Sequence, residues 1–112
     1  MTERDVLAWL DTRRPAPPPT LRAHLDAALT SAPGTPGTPG APGARGLPLP
    51  DHLALLGRTV LARVTARPGG GRELACDLLA ADAFVTYAFE AQAEADVAGL
   101  ARFAERVAEE AG

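Results

Sequence analysis

The chain has 112 residues, a formal net charge of −3 at pH 7 and an apolar fraction of 46%, which limit it to one small domain with a thin core. Much of the apolar fraction is alanine, and the chain has only three Phe, one Trp and one Tyr. All eleven basic residues are Arg and Lys is absent, a bias that we attribute to a GC-rich, bacterial genome.

The distribution of charge argues against a nucleic-acid partner. Residues 52–72 contain four Arg and no acidic residue, whereas residues 73–112 contain nine acidic residues and two Arg. A protein that binds a nucleic-acid backbone needs a basic surface, and the acidic last third of this chain does not provide one. We therefore expect no DNA or RNA partner.

Targeting and membrane signals are also missing from the sequence. Charged residues interrupt residues 1–14, so no signal-peptide apolar region is present. The most apolar run, Leu74–Phe89, contains two aspartates and is too short to span a bilayer. Because the chain has one cysteine, Cys76, it cannot form an intramolecular disulfide. We expect a soluble cytoplasmic protein that does not enter a membrane.

Two helices are predicted in the first third of the chain. Thr2 is typical of an N-cap and predicts a helix over Glu3–Thr12, with Trp9 on its apolar side. The prolines of residues 15–19 predict an extended connector, because each proline biases the preceding residue away from the helical region. The last of these prolines can begin a second helix. The apolar side of that helix comprises Leu21, Leu25, Ala28, Leu29 and Ala32.

Residues 33–50 are predicted to be a flexible Pro/Gly-rich linker within a single helical domain of residues 1–112. Glycine recurs at every third position from Gly34 to Gly46, which is the period of collagen. A collagen triple helix needs many more triplets and three chains, so an extended linker is the better interpretation.

A third helix is predicted over about Asp51–Ala66, and it carries a glycine in the middle of its apolar face. That face comprises Leu53, Leu56, Val60, Leu61 and Val64. Gly57 lies among them and lowers the stability of the helix, so we expect that a neighbouring helix approaches closely at this point. The glycines of residues 69–71 end the helix.

The fourth helix, about residues 72–92, is apolar on two sides. Its main stripe comprises Leu74, Leu78, Ala81, Val85, Ala88 and Phe89, which we predict to be core. A second stripe of mostly small residues comprises Cys76, Ala80, Ala83 and Tyr87. A helix with two apolar sides is either buried or shared with a partner. Asp96 can N-cap a fifth helix, although one continuous helix from residue 72 onward is also compatible with the sequence.

The predicted fold is therefore all-α, a small up-down helical bundle with four main helices and a short N-terminal helix. The fourth helix is expected at its centre, and Trp9 is expected to attach the first helix to one end of the bundle.

The candidate ligand-binding residues are Gly57, Asp82, Thr86 and Tyr87. Asp82 and Thr86 lie one turn apart beside the main stripe. If Asp82 points inward, desolvation would suit it to act as a general base or a ligand anchor. The alternative, which we favour, is that Asp82 lies at the edge of the core and pairs with an arginine such as Arg58 or Arg63.

No metal or cofactor site is predicted. His24, His52 and Cys76 have none of the spacings that zinc sites use. We expect both histidines to be exposed or to cap helices, and we expect Cys76 to be a small buried apolar residue.

The leading functional hypothesis is a non-enzymatic accessory or protein–protein interaction protein. It would bind a protein partner, or a second copy of itself in a homodimer, through the small-residue stripe of Cys76, Ala80, Ala83 and Tyr87. The alternative is a bundle that binds a small apolar ligand between the third and fourth helices. An enzyme that uses Asp82 is a weaker alternative, because the sequence offers no second polar group that would converge with it.

Overall fold

The computed structural model describes residues 3–30, 47–66, 69 and 71–111, so most of the predicted linker lies outside the described residues. The described elements are all helical, as the sequence predicts, and the all-α fold class is confirmed. They are α1 (Glu3–Leu10), α2 (Pro19–Thr30), α3 (Leu49–Ala66), α4 (Arg72–Asp96), a 3-10 turn (Val97–Gly99) and α5 (Leu100–Ala111).

Proline and glycine set the helix starts. Pro19 begins α2 as predicted, because the first turn of a helix needs no N–H donor at that position. α3 begins at Leu49, two residues before the predicted start at Asp51, and Pro50 occupies its first turn for the same reason. Gly71 precedes α4 with φ 146°, a conformation that an L side chain rarely adopts, so glycine is needed there.

α4 and α5 are separate helices. Asp96 adopts an extended conformation (φ −163°, ψ 93°) and interrupts the helical backbone before the 3-10 turn. It stands at the predicted N-cap position, but its side chain makes no capping hydrogen bond. The chain reverses there, and α5 folds back along α4. None of the helices in the described part of the chain is long and apolar enough to cross a membrane.

The antiparallel pair α3 and α4 forms the centre of the molecule, and the predicted close approach at Gly57 is confirmed. A Cβ atom at Gly57 would lie 2.8 Å from Val85 Cγ2 and 3.0 Å from the carbonyl oxygen of Ala81. Both separations are shorter than side chains normally tolerate. The missing side chain is therefore what lets α3 lie so close to α4.

The centre of the α4 core differs from the predicted stripe. Phe84, which lies between the two predicted stripes, has an exposed fraction of 0%. The other buried α4 residues are all alanine, namely Ala80, Ala81, Ala88 and Ala91. Leu78, which was predicted to be core, is 49% exposed, so that prediction is wrong. The reason is that the helix covering this side of α4 ends before it reaches Leu78.

Trp9 attaches α1 to the C-terminal half of α4, where the sequence predicted only that Trp9 would attach the first helix to one end of the bundle. Its ring meets Tyr87 edge to face, with centroids 5.8 Å apart, and its Nε1 donates a hydrogen bond to Glu94 Oε1 at 3.0 Å. Arg13 lies over the Trp9 ring at 3.9 Å and pairs with Glu94 at 2.8 Å. The hydrogen bonds from Arg13 and Trp9 lower the pKa of the Glu94 carboxyl.

Candidate functional site

The candidate site is set by how far α5 extends along the α3–α4 pair. α5 has 12 residues and is about 18 Å long. α4 has 25 residues and is about 37 Å long. Phe103 of α5 packs edge to face against Phe89 near the C-terminal end of α4, with centroids 5.2 Å apart. Arg106 of α5 reaches Asp51 at the start of α3, at 3.4 Å. α5 therefore covers only about half of this face.

Beyond α5, an open groove of about 590 Å³ lies between α3 and α4. We call it the α3–α4 groove. The α3 wall is formed by Ala54, Gly57, Arg58, Leu61, Ala62 and Thr65. The α4 wall is formed by Leu78, Ala81, Asp82 and Val85, and Val107 of α5 closes one end.

The floor and the rim of the α3–α4 groove differ in the size of their side chains. Gly57 and Ala81 form a shallow floor, because the two helices are in contact there. Leu61 and Leu78 stand on opposite walls and are partly exposed, Leu61 by 40%. Large apolar side chains that are exposed together in a concave surface are typical of an interaction site.

Few polar groups line the groove. Arg58 lies on the α3 wall and Asp82 on the α4 wall, and Thr65 stands near the end of α3. One carboxylate and one guanidinium can orient a bound group through charge. They do not form the nucleophile-and-base pair that covalent catalysis uses. Among the described residues, no cluster of His, Cys, Asp or Glu could hold a metal ion.

The structure brings two of the four predicted ligand-binding residues together. Gly57 and Asp82 both line the α3–α4 groove. Thr86 is exposed and is not among the lining residues. Tyr87 lies on the opposite side of α4 against Trp9. The grouping fails because Asp82 and Tyr87 are five residues apart and therefore point about 140° apart around the helix.

The predicted interface stripe lies on the face of α4 that α1 and α2 cover. Ala80 is 1% exposed, Tyr87 packs against Trp9, and Ala83 and Cys76 are partly buried. These side chains therefore do not form the free surface that an interface with a partner would need. An interface role for the stripe stays a prediction, and the free apolar surface of α4 lies on the α3–α4 groove side.

The histidines occupy environments that the sequence did not indicate. His24 Nδ1 lies 3.6 Å from Asp77 Oδ1, which joins α2 to α4. His52 is 5% exposed, so the prediction of an exposed or capping residue is wrong. Its Nδ1 atom has no hydrogen-bond partner among the described atoms, and burial lowers the pKa of its imidazole.

Sequence reasoning missed Leu61 and Leu78 as site residues, because both carry the spacing of core positions. The sequence feature that could have indicated their exposure is the difference in length between the fourth and fifth helices. Comparison with protein-family models, with curated proteins and with solved structures found no match for this chain. The groove itself is therefore the feature of this chain that points to a function.

Proposed function

We propose that this protein is a non-enzymatic interaction module that binds a helix of another polypeptide in the α3–α4 groove. One observation carries the proposal. Leu61 and Leu78 are exposed on facing walls above a floor of Gly57 and Ala81. An amphipathic helix laid in such a groove would cover both leucines, and this is a recurrent mode of peptide recognition.

The packing of α5 on the neighbouring part of this face supports a helix as the occupant of the groove. There α5 lies against the α3–α4 pair, with Phe103 buried and Val107 partly buried four residues later. This spacing places both side chains on one side of α5. A bound helix in the groove would continue the layer that α5 begins, with the same kind of apolar stripe facing inward.

A small apolar ligand is less well supported. The volume of about 590 Å³ is in the range of ligand pockets. Pockets that hold small molecules, however, bury most of the ligand surface, whereas this groove is open along its length. Tyr87, which was expected to contribute to a ligand site, is on the other face of α4.

A catalytic role for Asp82 is also less well supported. Asp82 is exposed, and the other charged group of the groove, Arg58, is a guanidinium, which supplies hydrogen-bond donors but no acceptor. Our proposal includes a cytoplasmic location, because the chain carries a single cysteine and so cannot form a disulfide within itself.

Site-specific photo-cross-linking tests the proposal. A benzoylphenylalanine residue is placed at Leu61 in the full chain, and the protein is irradiated in an extract of the source cells. The matched control carries the same residue at Leu79, which is 60% exposed on α4 but does not line the groove. Mass spectrometry then identifies the adducts.

We expect a polypeptide adduct from position 61 that is absent from position 79. A lipid or small-molecule adduct alone would overturn the proposal in favour of a ligand-binding bundle. Equal adducts from both positions, or none from position 61, would show that the groove is not a binding surface.

A further inference from the structure

We infer that the helix bound in the α3–α4 groove carries one acidic and one basic flank, and that the groove selects the direction in which this helix lies. This inference rests on the proposed function and names the chemistry of the partner. It is carried by two charged side chains that line the groove, Arg58 on the α3 wall and Asp82 on the α4 wall.

Arg58 and Asp82 lie at about the same level along the groove. A Cβ atom at Gly57 would lie 3.0 Å from the carbonyl oxygen of Ala81, so these two residues mark one level of the helix pair. In the sequence, Arg58 follows Gly57 and Asp82 follows Ala81. The groove therefore carries a positive charge on one wall and a negative charge on the other, on either side of its floor.

Apolar side chains lie on both sides of this charged level. Leu61 is about one turn beyond Gly57 on α3, and Leu78 is about one turn before Ala81 on the antiparallel α4, so the two leucines face each other. At the other end, Val107 of α5 closes the groove. A bound helix thus meets apolar surface along its length and opposite charges across its width.

Both charged groups can act on a bound helix. Asp82 is exposed and Arg58 is partly buried. Arg58 also interacts within the chain. A guanidinium has five N–H donors, so Arg58 can keep that interaction and still donate to a carboxylate of the partner.

Opposite charges on the two walls distinguish the two directions in which a helix can lie. Asp or Glu is favoured on the flank that faces Arg58, and Lys or Arg on the flank that faces Asp82. Turning the helix end to end, with its apolar side kept on the floor, exchanges the walls that its flanks face. One direction therefore matches both charges and the other matches neither. Flanking charges set the orientation of paired helices in coiled coils by the same means.

Two synthetic peptides of about four helical turns test this inference against the full chain. Both carry leucine at i, i+3, i+4 and i+7 on one face. The first has glutamate on one flank and lysine on the other, and the second has the two flanks exchanged, so their composition and net charge are identical. Each peptide carries a nitroxide spin label at its N-terminus.

Methyl NMR then shows which end of the groove the label approaches, because the label increases the relaxation rate of nearby methyl groups. Thr65 and Val107, which line opposite ends of the groove, report the two directions. For the first peptide the increases at these two methyl groups should differ by about fivefold, a ratio typical of two partly exposed ion pairs. The second peptide should reverse the order, and salt should weaken both preferences.

A variant with both walls basic removes the expected reversal. Asp82→Arg leaves Arg58 unchanged, so each peptide then gains and loses the same contacts in either direction, and the two peptides should give equal ratios. The matched control is Glu90→Arg, which makes the same charge change at an exposed position of α4 outside the groove and should keep the reversal. Circular dichroism confirms that both variants are folded.

The failures of the inference and of the proposed function are distinguishable. If both peptides bind but lie in the same direction or in no fixed direction, or if Asp82→Arg keeps the reversal, the inference is wrong and the groove stands as a helix site. A dimer in light scattering that Leu61→Glu disrupts would identify a second copy as the occupant and would overturn this partner. If neither peptide binds, the inference is wrong, and if position 61 also cross-links to no polypeptide, the proposed function is wrong too.

Discussion

The two broad faces of the α3–α4 pair are covered to different extents. On one face, contacts extend from the N-terminal part of α4, where Asp77 meets His24, to its C-terminal part, where Glu94 meets Trp9 and Arg13. On the other face, Phe103 of α5 packs against Phe89 of α4, and the α3–α4 groove lies beside Val107 of α5. Among the described residues, the same two helices thus have one face that is covered and one that is partly open.

Our proposal of a binding groove accounts for this difference, because it gives the exposed leucines a partner to cover them. The covered face includes small buried side chains, such as Ala80, and α2 packs against α4. The open part of the other face carries Leu61 and Leu78, which would be poor choices for a surface that stays in water. The predictions below contrast the two parts of the molecule, from the largest expected effect to the smallest.

Phe84→Ala should cause the largest loss of stability, because Phe84 is the most buried large side chain of α4. Removing a buried phenylalanine typically lowers the free energy of unfolding by about 3–5 kcal/mol. Phe84→Leu, which keeps most of the volume, should cost less than about 1.5 kcal/mol. Urea denaturation followed by circular dichroism measures both. A loss below about 1 kcal/mol for Phe84→Ala would contradict its central position.

Trp9→Ala should lower the free energy of unfolding by about 2 kcal/mol. Trp9 is partly exposed, so removing its ring costs less stability than removing a fully buried ring. Trp9→Phe keeps the ring contact with Tyr87 and loses only the hydrogen bond to Glu94, so it should cost at most about 1 kcal/mol. The same denaturation experiment measures both variants. Equal losses would show that the hydrogen bond, and not the ring contact, attaches α1.

Gly57→Ala should be destabilising by about 1 kcal/mol. Overpacking against Val85 and the Ala81 carbonyl costs about 1–3 kcal/mol, and the higher helix propensity of alanine offsets about 1 kcal/mol of this. Gly99→Ala is the control, because its added Cβ would meet only the side-chain ends of Asp96 and Gln92, which can move. A stabilised Gly57→Ala protein would show that α3 and α4 are not in close contact.

His52 should make the stability of the fold depend on pH. Burial lowers the pKa of His52 in the folded protein, so the folded state favours the neutral imidazole. The stability that neutral His52 contributes to the fold is therefore fully present above the pKa of about 6.5 that the residue has in the unfolded chain. This stability is lost as the pH falls from that value toward the lower pKa of His52 in the folded protein.

Urea denaturation at pH values between 7 and about 5 tests this dependence. The free energy of unfolding should fall with pH in the parent protein, and the fall should be smaller in His52→Gln. An identical pH dependence in the two proteins would contradict the burial of His52.

Leu78→Ala should have the smallest effect on stability, below about 1 kcal/mol, because about half of its side chain is already in contact with water. Leu29→Ala, on the covered face, should cost about 2–5 kcal/mol. Thermal denaturation of the two variants measures the difference. Comparable losses would mean that the groove is closed in solution.

Much of the fold follows from local sequence signals. Proline at residue 19, glycine at residue 71 and the apolar spacing of α3 and α4 predict the helix starts to within a few residues. The close approach at Gly57 could also be predicted, because a glycine inside an apolar helix face needs a reason in packing.

The candidate site could be predicted only in part, because periodicity shows which side of a helix is apolar but not what covers it. Leu78 and Phe84 are both compatible with burial from sequence alone. Phe84 is buried beside Gly57 of α3, whereas Leu78 lines the α3–α4 groove. His52 was missed for a similar reason, since a polar residue near a helix start is usually exposed. Tertiary contacts decide both outcomes.

The most direct test of the account is a methyl NMR titration of the full chain with an amphipathic helical peptide that carries leucine at i, i+3, i+4 and i+7 on one face. The methyl groups of Leu61, Leu78 and Val85 are predicted to shift in a saturable manner, whereas those of Leu25 and Leu29, which are buried on α2, stay unchanged. Shifts confined to residues outside the α3–α4 groove, or no shifts at all, would contradict the claim that this groove binds a helix.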